Sequence, residues 1–326
     1  MLESWQAVVL GLIEGITEYL PISSTGHLIV GASVMGLHDD PKHAAAVKTF
    51  EIAIQAGAIA AVLGLYFPRF ARMLKGLIGR DPQGLALLGN LFIAFIPAAA
   101  VGWLLHDFID AYLMNLPAVV IAFLLGGVFM IVVDRRLVSP RRFAGPGGAG
   151  KDVTDLTPGE ALKIGLLQCV ALWPGTSRSM MTITGGAISG LRPAAAAEFS
   201  FLLGVPTLMG ATVYSIVKNL SAARAERLLA ESENRLPRFG TFLQELGAVN
   251  VALGALVAAA SAAAAVYWLV GFLNRRGLAP FGYYRLVAAV VLFVMMVLGV
   301  AKPAPKQQTP QPVRGVAAAA AHAVPG

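Results

Sequence analysis

Residues 14 to 27 read Glu-Gly-Ile-Thr-Glu-Tyr-Leu-Pro-Ile-Ser-Ser-Thr-Gly-His within an otherwise apolar chain. Glu14 and Glu18 are four apart, so on a helix they share one face. Carboxylates that close repel, and either a proton or a bridging cation relieves them. Such oxygen donors suit Mg²⁺ or Ca²⁺, and Mg²⁺ is commonly held by one or two carboxylates plus substrate phosphates. Pro21 ends the helix. Ser23, Ser24 or Thr25 can then cap a new helix whose free N–H groups form an anion site. Spacing alone does not choose a nucleophile among these hydroxyls. His27 follows Ser24 at i+3, within reach of its proton on a helix.

A second polar knot, Pro174-Gly175-Thr176-Ser177-Arg178-Ser179, lies far along the chain. Arg178 is the only Lys or Arg between Lys163 and Arg192. Arginine grips phosphate through paired hydrogen bonds and stays charged when buried. Thr176, Ser177, Ser179 and the Gly175 backbone can add donors. The same arginine could instead neutralise Glu14 or Glu18, and a phosphate or metal between them satisfies both roles. Carboxylates, hydroxyls, an imidazole and an arginine suit phosphoryl transfer from an amphiphilic phosphate ester, where catalysis is mainly positioning and charge neutralisation. Glu51 and Gln55 are again four apart, and Glu51 fits either a supporting or a packing role. His38, His43, His106 and His322 fall in loops or the tail.

The elements that must hold these groups are membrane helices. Of 326 residues, 57% are hydrophobic and 13% charged, against about 25% charged in soluble domains. Mean hydropathy is +0.71. The single Cys169 excludes an internal disulfide and a cysteine metal site. The first residues, Met-Leu-Glu-Ser-Trp, lack a basic leader and read as the mature start. Hydrophobic runs predict full spans near 44–67, 85–105, 115–134, 198–218, 247–272 and 282–302. Segments 5–37 and 160–190 are also apolar, but a motif and a proline interrupt each. Ionisable groups at that depth are expensive and mark a site.

Net charge is +7. Basic loops at 68–84 and 134–163, with Arg275 and Arg276, fall on the cytoplasmic side by the positive-inside rule, and 106–114 falls outside. The 219–246 loop disagrees, since it should be external yet holds Arg224, Arg227, Arg235 and Arg238. The stretch 143–150 reads as a flexible linker, and 302–326 as a disordered tail. One membrane domain over 1–301 is expected, with halves near 5–134 and 160–301 joined by 135–159.

The halves look repeated. Gly11-Leu12-Ile13-Glu14 leads to Pro21 and a Ser/Thr cluster, as Gly165-Leu166-Leu167-Gln168 leads to Pro174 and another. Glu51 precedes Gly57 as Glu198 precedes Gly204. If the motif segments are re-entrant hairpins, each half has three full spans and the repeat is inverted, with its site at the midplane interface. If they cross fully, the repeat is parallel. Pro21 and Pro174 favour the broken version. Broken backbone at that depth needs cover from protein or water.

These motifs closely resemble the two signatures of the bacitracin-resistance type undecaprenyl-diphosphate phosphatases. The resemblance extends through Glu51–Gly57, Glu198–Pro206 and Gly277-Leu-Ala-Pro-Phe-Gly-Tyr-Tyr-Arg285, and covers roughly residues 5 to 300. It implies an all-α inner-membrane enzyme, an inverted repeat of six full spans and two re-entrant helical hairpins, with its site open to the periplasm. It implies removal of the terminal phosphate of undecaprenyl diphosphate, recycling the lipid carrier for cell-wall synthesis. By position, Glu14 and Glu18 are its acidic pair, Ser24 its nucleophile, His27 its histidine and Arg178 its phosphate-binding arginine. Met180-Met181 departs from the small residues the family often has there. Membrane lipid and, as an allowed assembly, a second copy are the expected partners; nucleic acid is not. The acid-phosphatase type of lipid phosphatase does not fit, because no histidine follows Arg178 until His322. A transporter or flippase of a polyprenyl phosphate is the rival class, since inverted repeats with broken helices also build transporters.

Overall fold

A chain this apolar must satisfy its backbone within itself, and in lipid that leaves helices. The computed structural model describes residues 2–37, 41–138, 150–232 and 247–300, and is all-helical apart from one isolated bridge between Lys151 and Leu191. In chain order the helices are α1 (Ser4–Tyr19), α2 (Ser24–Val34), α3 (Pro41–Leu65), α4 (Phe67–Leu77), α5 (Pro82–Phe108), α6 (Leu116–Val133), α7 (Pro158–Val170), α8 (Arg178–Ile188), α9 (Pro193–Ser232), α10 (Ala248–Arg276) and α11 (Ala279–Val297). Caps set several starts. Asp81 accepts from Gly84 N at 2.8 Å with Pro82 following, Asn115 accepts from Ala118 N at 2.9 Å, and Thr157 and Glu160 form a capping box. The Arg72 guanidinium, with the Gly84 N–H, holds the Asp81 carboxyl down at about 2.

Among the described residues, six stretches are long and apolar enough to cross a membrane: Val47–Leu65, Pro82–Leu113, Leu116–Arg136, Pro193–Tyr214, Ala248–Arg276 and Ala279–Val297. They overlap the six spans the sequence predicts. The two motif segments are broken: α1 and α2 have 16 and 11 residues, α7 and α8 have 13 and 11. Each is shorter than the roughly 20 residues a spanning helix needs.

Two expectations change. The basic 68–84 loop contains α4, which starts over Pro68 and buries Met73 and Gly76. The 219–246 loop is helical up to Ser232, because α9 runs 40 residues without a break. That chain has no proline or glycine between Gly210 and Ser232 to stop it. The linker expected at 143–150 and the tail at 302–326 lie outside the described residues, Gly150 excepted.

The hairpins exchange neighbours. α1 packs along α10, and α7 packs along α5. Each contact depends on a glycine at the same place in its motif. A Cβ on Gly11 would lie 2.5 Å from Gly254 O, and one on Gly165 would lie 2.5 Å from Ala94 O. Small residues let membrane helices approach this closely. α3 also packs along α10, and α6 along α11.

Candidate active site

Both breaks have the same backbone. Ser23 (φ 73°) precedes α2 and Ser177 (φ 77°) precedes α8, and they are the only non-glycine residues with positive φ among those described. Ser24 and Arg178 are therefore equivalent, each opening its short helix. The likeness continues through both helices, which end on left-handed glycines, Gly36 and Gly190. Leu37 N then donates to Ala32 O at 2.9 Å and Leu191 N to Gly186 O at 3.0 Å.

Glu18 joins the two breaks. Its Oε2 accepts from Ser24 Oγ at 2.7 Å and its Oε1 accepts from Arg178 Nη2 at 2.8 Å. The ion pair is almost sealed, with the side chains 11% and 7% exposed. At such burial the pair persists only with good geometry and further hydrogen bonds. Arg178 Nη1 donates to Ser200 O at 2.9 Å, and the guanidinium lies 5.7 Å from the Tyr19 ring centre. Gly204 makes room, since a Cβ there would stand 2.6 Å from Nη1. Arg178 Nε has no partner.

A cavity of about 150 Å³ opens over this triad. Ser23, Ser24, Thr25, Gly175 and Ser177 line it with Glu18 and Arg178; Gln55, Ala171, Pro174 and Leu208 complete the wall. Thr176 and Ser179 are buried beside it but do not line it. Ser179 Oγ donates to Leu20 O at 2.8 Å, tying the second break to the first. Hydroxyls and a guanidinium around a small cavity can neutralise a phosphate group while one hydroxyl faces its phosphorus.

Glu14 sits one turn before Glu18 on α1, 1% exposed, and neither of its oxygens has a partner. The charges of Glu18, Glu51 and Arg178 all act on it. Burying a carboxylate without partners is costly, so this oxygen pair is the feature that fits a hard cation. Among the described residues no group of three or more His, Cys, Asp or Glu could hold a metal. The protein can offer Glu14 and, by sharing, Glu18.

His27 lies elsewhere than its spacing suggests. Nδ1 pairs with Ser23 O at 2.7 Å and Nε2 with Tyr284 Oη at 2.7 Å, and the ring stacks on Tyr284 at 5.7 Å. Helical side chains lean toward the N-terminus, which carries this ring back over Ser23 and past Ser24. Tyr284 and Arg285 escaped the reading of site residues. Arg285, fully buried in an apolar span, was the available signal. Gln55 was noted only as the partner in spacing of Glu51.

Residues 7–291 match the family described as bacitracin resistance protein BacA. The chain is similar to an undecaprenyl-diphosphatase of Sorangium cellulosum, 43% identical over 291 residues, covering 89% of this chain and 86% of the relative. It is also similar to an undecaprenyl-diphosphatase of Neisseria gonorrhoeae, 40% identical over 90% of this chain and 96% of the relative. One from Cereibacter sphaeroides is 36% identical over 90% of this chain and 97% of the relative.

Proposed function

This chain belongs to the bacitracin resistance protein BacA family, and from that premise we propose that it is an undecaprenyl-diphosphatase. It hydrolyses the terminal phosphate of undecaprenyl diphosphate to undecaprenyl phosphate and inorganic phosphate, and so recycles a lipid carrier for cell-wall synthesis. The observation that carries the mechanism is the Ser24–Glu18–Arg178 chain of hydrogen bonds at the floor of the cavity.

In the proposed mechanism Ser24 Oγ attacks the terminal phosphorus. Its proton passes to Glu18 Oε2, 2.7 Å away. The anhydride P–O bond breaks, undecaprenyl phosphate departs, and water then hydrolyses the phosphoserine. Arg178 turns its guanidinium to the terminal phosphate and offsets charge that spreads over the equatorial oxygens. Ser23, Thr25, Gly175 and Ser177 supply further contacts to that phosphate. Thr176 and Ser179 support the wall behind them. His27 holds Ser23 and so sets where Ser24 stands. A divalent cation, Mg²⁺ or Ca²⁺, would be held by Glu14 with an oxygen of Glu18, and when bound it supplies positive charge against the diphosphate.

The two broken helix pairs are re-entrant hairpins of an inverted repeat, in the cell inner membrane, with the cavity open to the periplasm. The matching left-handed serines, the exchanged packing of α1 and α7, and the basic residues 69–80 and 135–136 support this topology. Purified protein in detergent, given undecaprenyl diphosphate and Mg²⁺ or Ca²⁺, is expected to release phosphate. Transport or binding of the lipid without phosphate release overturns the enzyme reading.

A further inference from the structure

The last helix touches both breaks through two consecutive residues. Tyr284 Oη meets His27 Nε2 at 2.7 Å, and His27 Nδ1 meets Ser23 O at 2.7 Å. With Nδ1–H donating to the carbonyl, Nε2 is the acceptor and the tyrosine hydroxyl donates to it. Arg285 Nη2 donates to Gly175 O at 2.8 Å and to Ala122 O at 2.8 Å. At the breaks, the carbonyls gripped belong to cavity-lining residues with positive φ, Ser23 at 73° and Gly175 at 93°, while Ala122 lies on α6. Each precedes, by one residue and by three, the side chain that faces the cavity chemistry, Ser24 and Arg178.

The grip is built rather than incidental. Arg285 is fully buried, and its guanidinium lies 4.7 Å from the Phe123 ring centre. Gly126 leaves space for it, since a Cβ there would stand 2.6 Å from Nη2. The start of α11 is itself fixed, because Asp134 Oδ1 accepts from Leu278 N at 2.6 Å beside left-handed Gly277. A buried cation with two unpartnered nitrogens, Nε and Nη1, is a poor way to gain stability alone. It is explained by what it holds.

We propose that Tyr284 and Arg285 are positioning residues that lock the two breaks from one helix, so that Ser24 and Arg178 are held in register across Glu18. Tyr284 acts through His27 on the first break, and Arg285 acts directly on the second. His27 on this reading is a strut with both nitrogens occupied, and Glu18 is the group that meets Ser24.

The test compares the full-length wild type with Tyr284→Phe, which keeps the stacked ring and loses only the hydroxyl, and with Arg285→Lys, which keeps the charge and loses the fork. Hydrogen exchange is followed across residues 20–27 and 172–180. Tyr284→Phe is expected to speed exchange in 20–27 alone, and Arg285→Lys in 172–180 alone. A merely structural role would speed exchange throughout or lower the melting temperature without that division. Uniform or unchanged exchange in both variants overturns the proposal. If Arg285→Lys fails to fold, Tyr284→Phe decides it. A kinetic arm rests on the phosphatase reading. There kcat per folded molecule should fall about tenfold with KM little changed, since displacement of about 1 Å can cost 10²-fold. Unchanged kcat in an active background also overturns it, whereas a wild type without activity indicts the phosphatase reading and leaves the exchange arm to judge the lock.

Discussion

Ser24 and Arg178 each open a short helix behind a left-handed serine, yet the first break presents a hydroxyl and the second a guanidinium. The first hairpin also carries Glu14, where the second has Gln168. Both are nearly sealed from solvent, and neither side-chain head group finds a partner among the described residues. The two breaks thus share a backbone and differ in chemistry, with a hydroxyl and carboxylates at the first and positive charge at the second. Neither half is a site alone, because Glu18 must reach across to Arg178.

That division can be broken most severely at its charged end. Arg178→Ala should lower kcat for phosphate release by about 10³-fold, the range seen when a phosphoryl-transfer arginine is lost. It also leaves Glu18 buried without its counter-charge. Added guanidinium ion restoring part of the rate would separate lost chemistry from lost fold. Ser24→Ala should be as damaging to turnover while leaving the Arg178–Glu18 pair intact, and wild-type turnover in it would end the nucleophile assignment.

A smaller effect separates Glu14 from Gln168. Glu14→Gln should raise the Mg²⁺ or Ca²⁺ concentration needed for half-maximal rate by roughly tenfold, as for loss of one oxygen ligand. Gln168→Leu should leave that concentration alone. Identical metal dependence in wild type and Glu14→Gln would remove Glu14 from any cation site. Packing should be less divided than chemistry. Gly11→Ala and Gly165→Ala each drive a methyl into a facing carbonyl oxygen, so both should destabilise by about 1–3 kcal/mol, read from thermal melts in detergent.

The spans were readable because apolar runs of that length have one use, and the polar knots because lipid makes idle ionisable residues rare. Gly11 and Gly165 were legible as residues at like places in the two motifs, and both make close helix contacts. Proline was a weaker signal than it looked. Pro97 and Pro206 lie inside unbroken α5 and α9, whereas Pro21 and Pro174 accompany left-handed serines that no composition rule announces. Long-range partners were illegible for the same reason. The i+3 spacing of His27 from Ser24 is local, but its hydrogen bond to Tyr284 comes from the far end of the chain. The extension of α9 to Ser232 was hidden by its charges, which read as a loop although nothing there breaks a helix.

The subtlest difference between the breaks is what each serine gains for its strained backbone. A left-handed φ costs a non-glycine residue about 1–2 kcal/mol. Ser177 recovers some of it, because its Oγ accepts from Met180 N at 3.2 Å and meets Ser179 Oγ at 3.0 Å. Ser23 makes no such cap bond. Glycine adopts this φ freely, so Ser23→Gly should stabilise by about 1 kcal/mol, a rise of about 1–2 °C in melting temperature at about 2.1 cal/mol/K of unfolding entropy per residue. Ser177→Gly should change little, because the lost hydroxyl contacts, worth about 1 kcal/mol, offset the relief. Equal shifts in the two variants would mean the caps do not distinguish the breaks. If Ser23→Gly is more stable yet slower per folded molecule than Ser23→Ala, which loses the same hydroxyl but keeps the left-handed strain, the unrelieved strain at Ser23 is serving the aim of Ser24 at the phosphorus, as strain held at functional sites does.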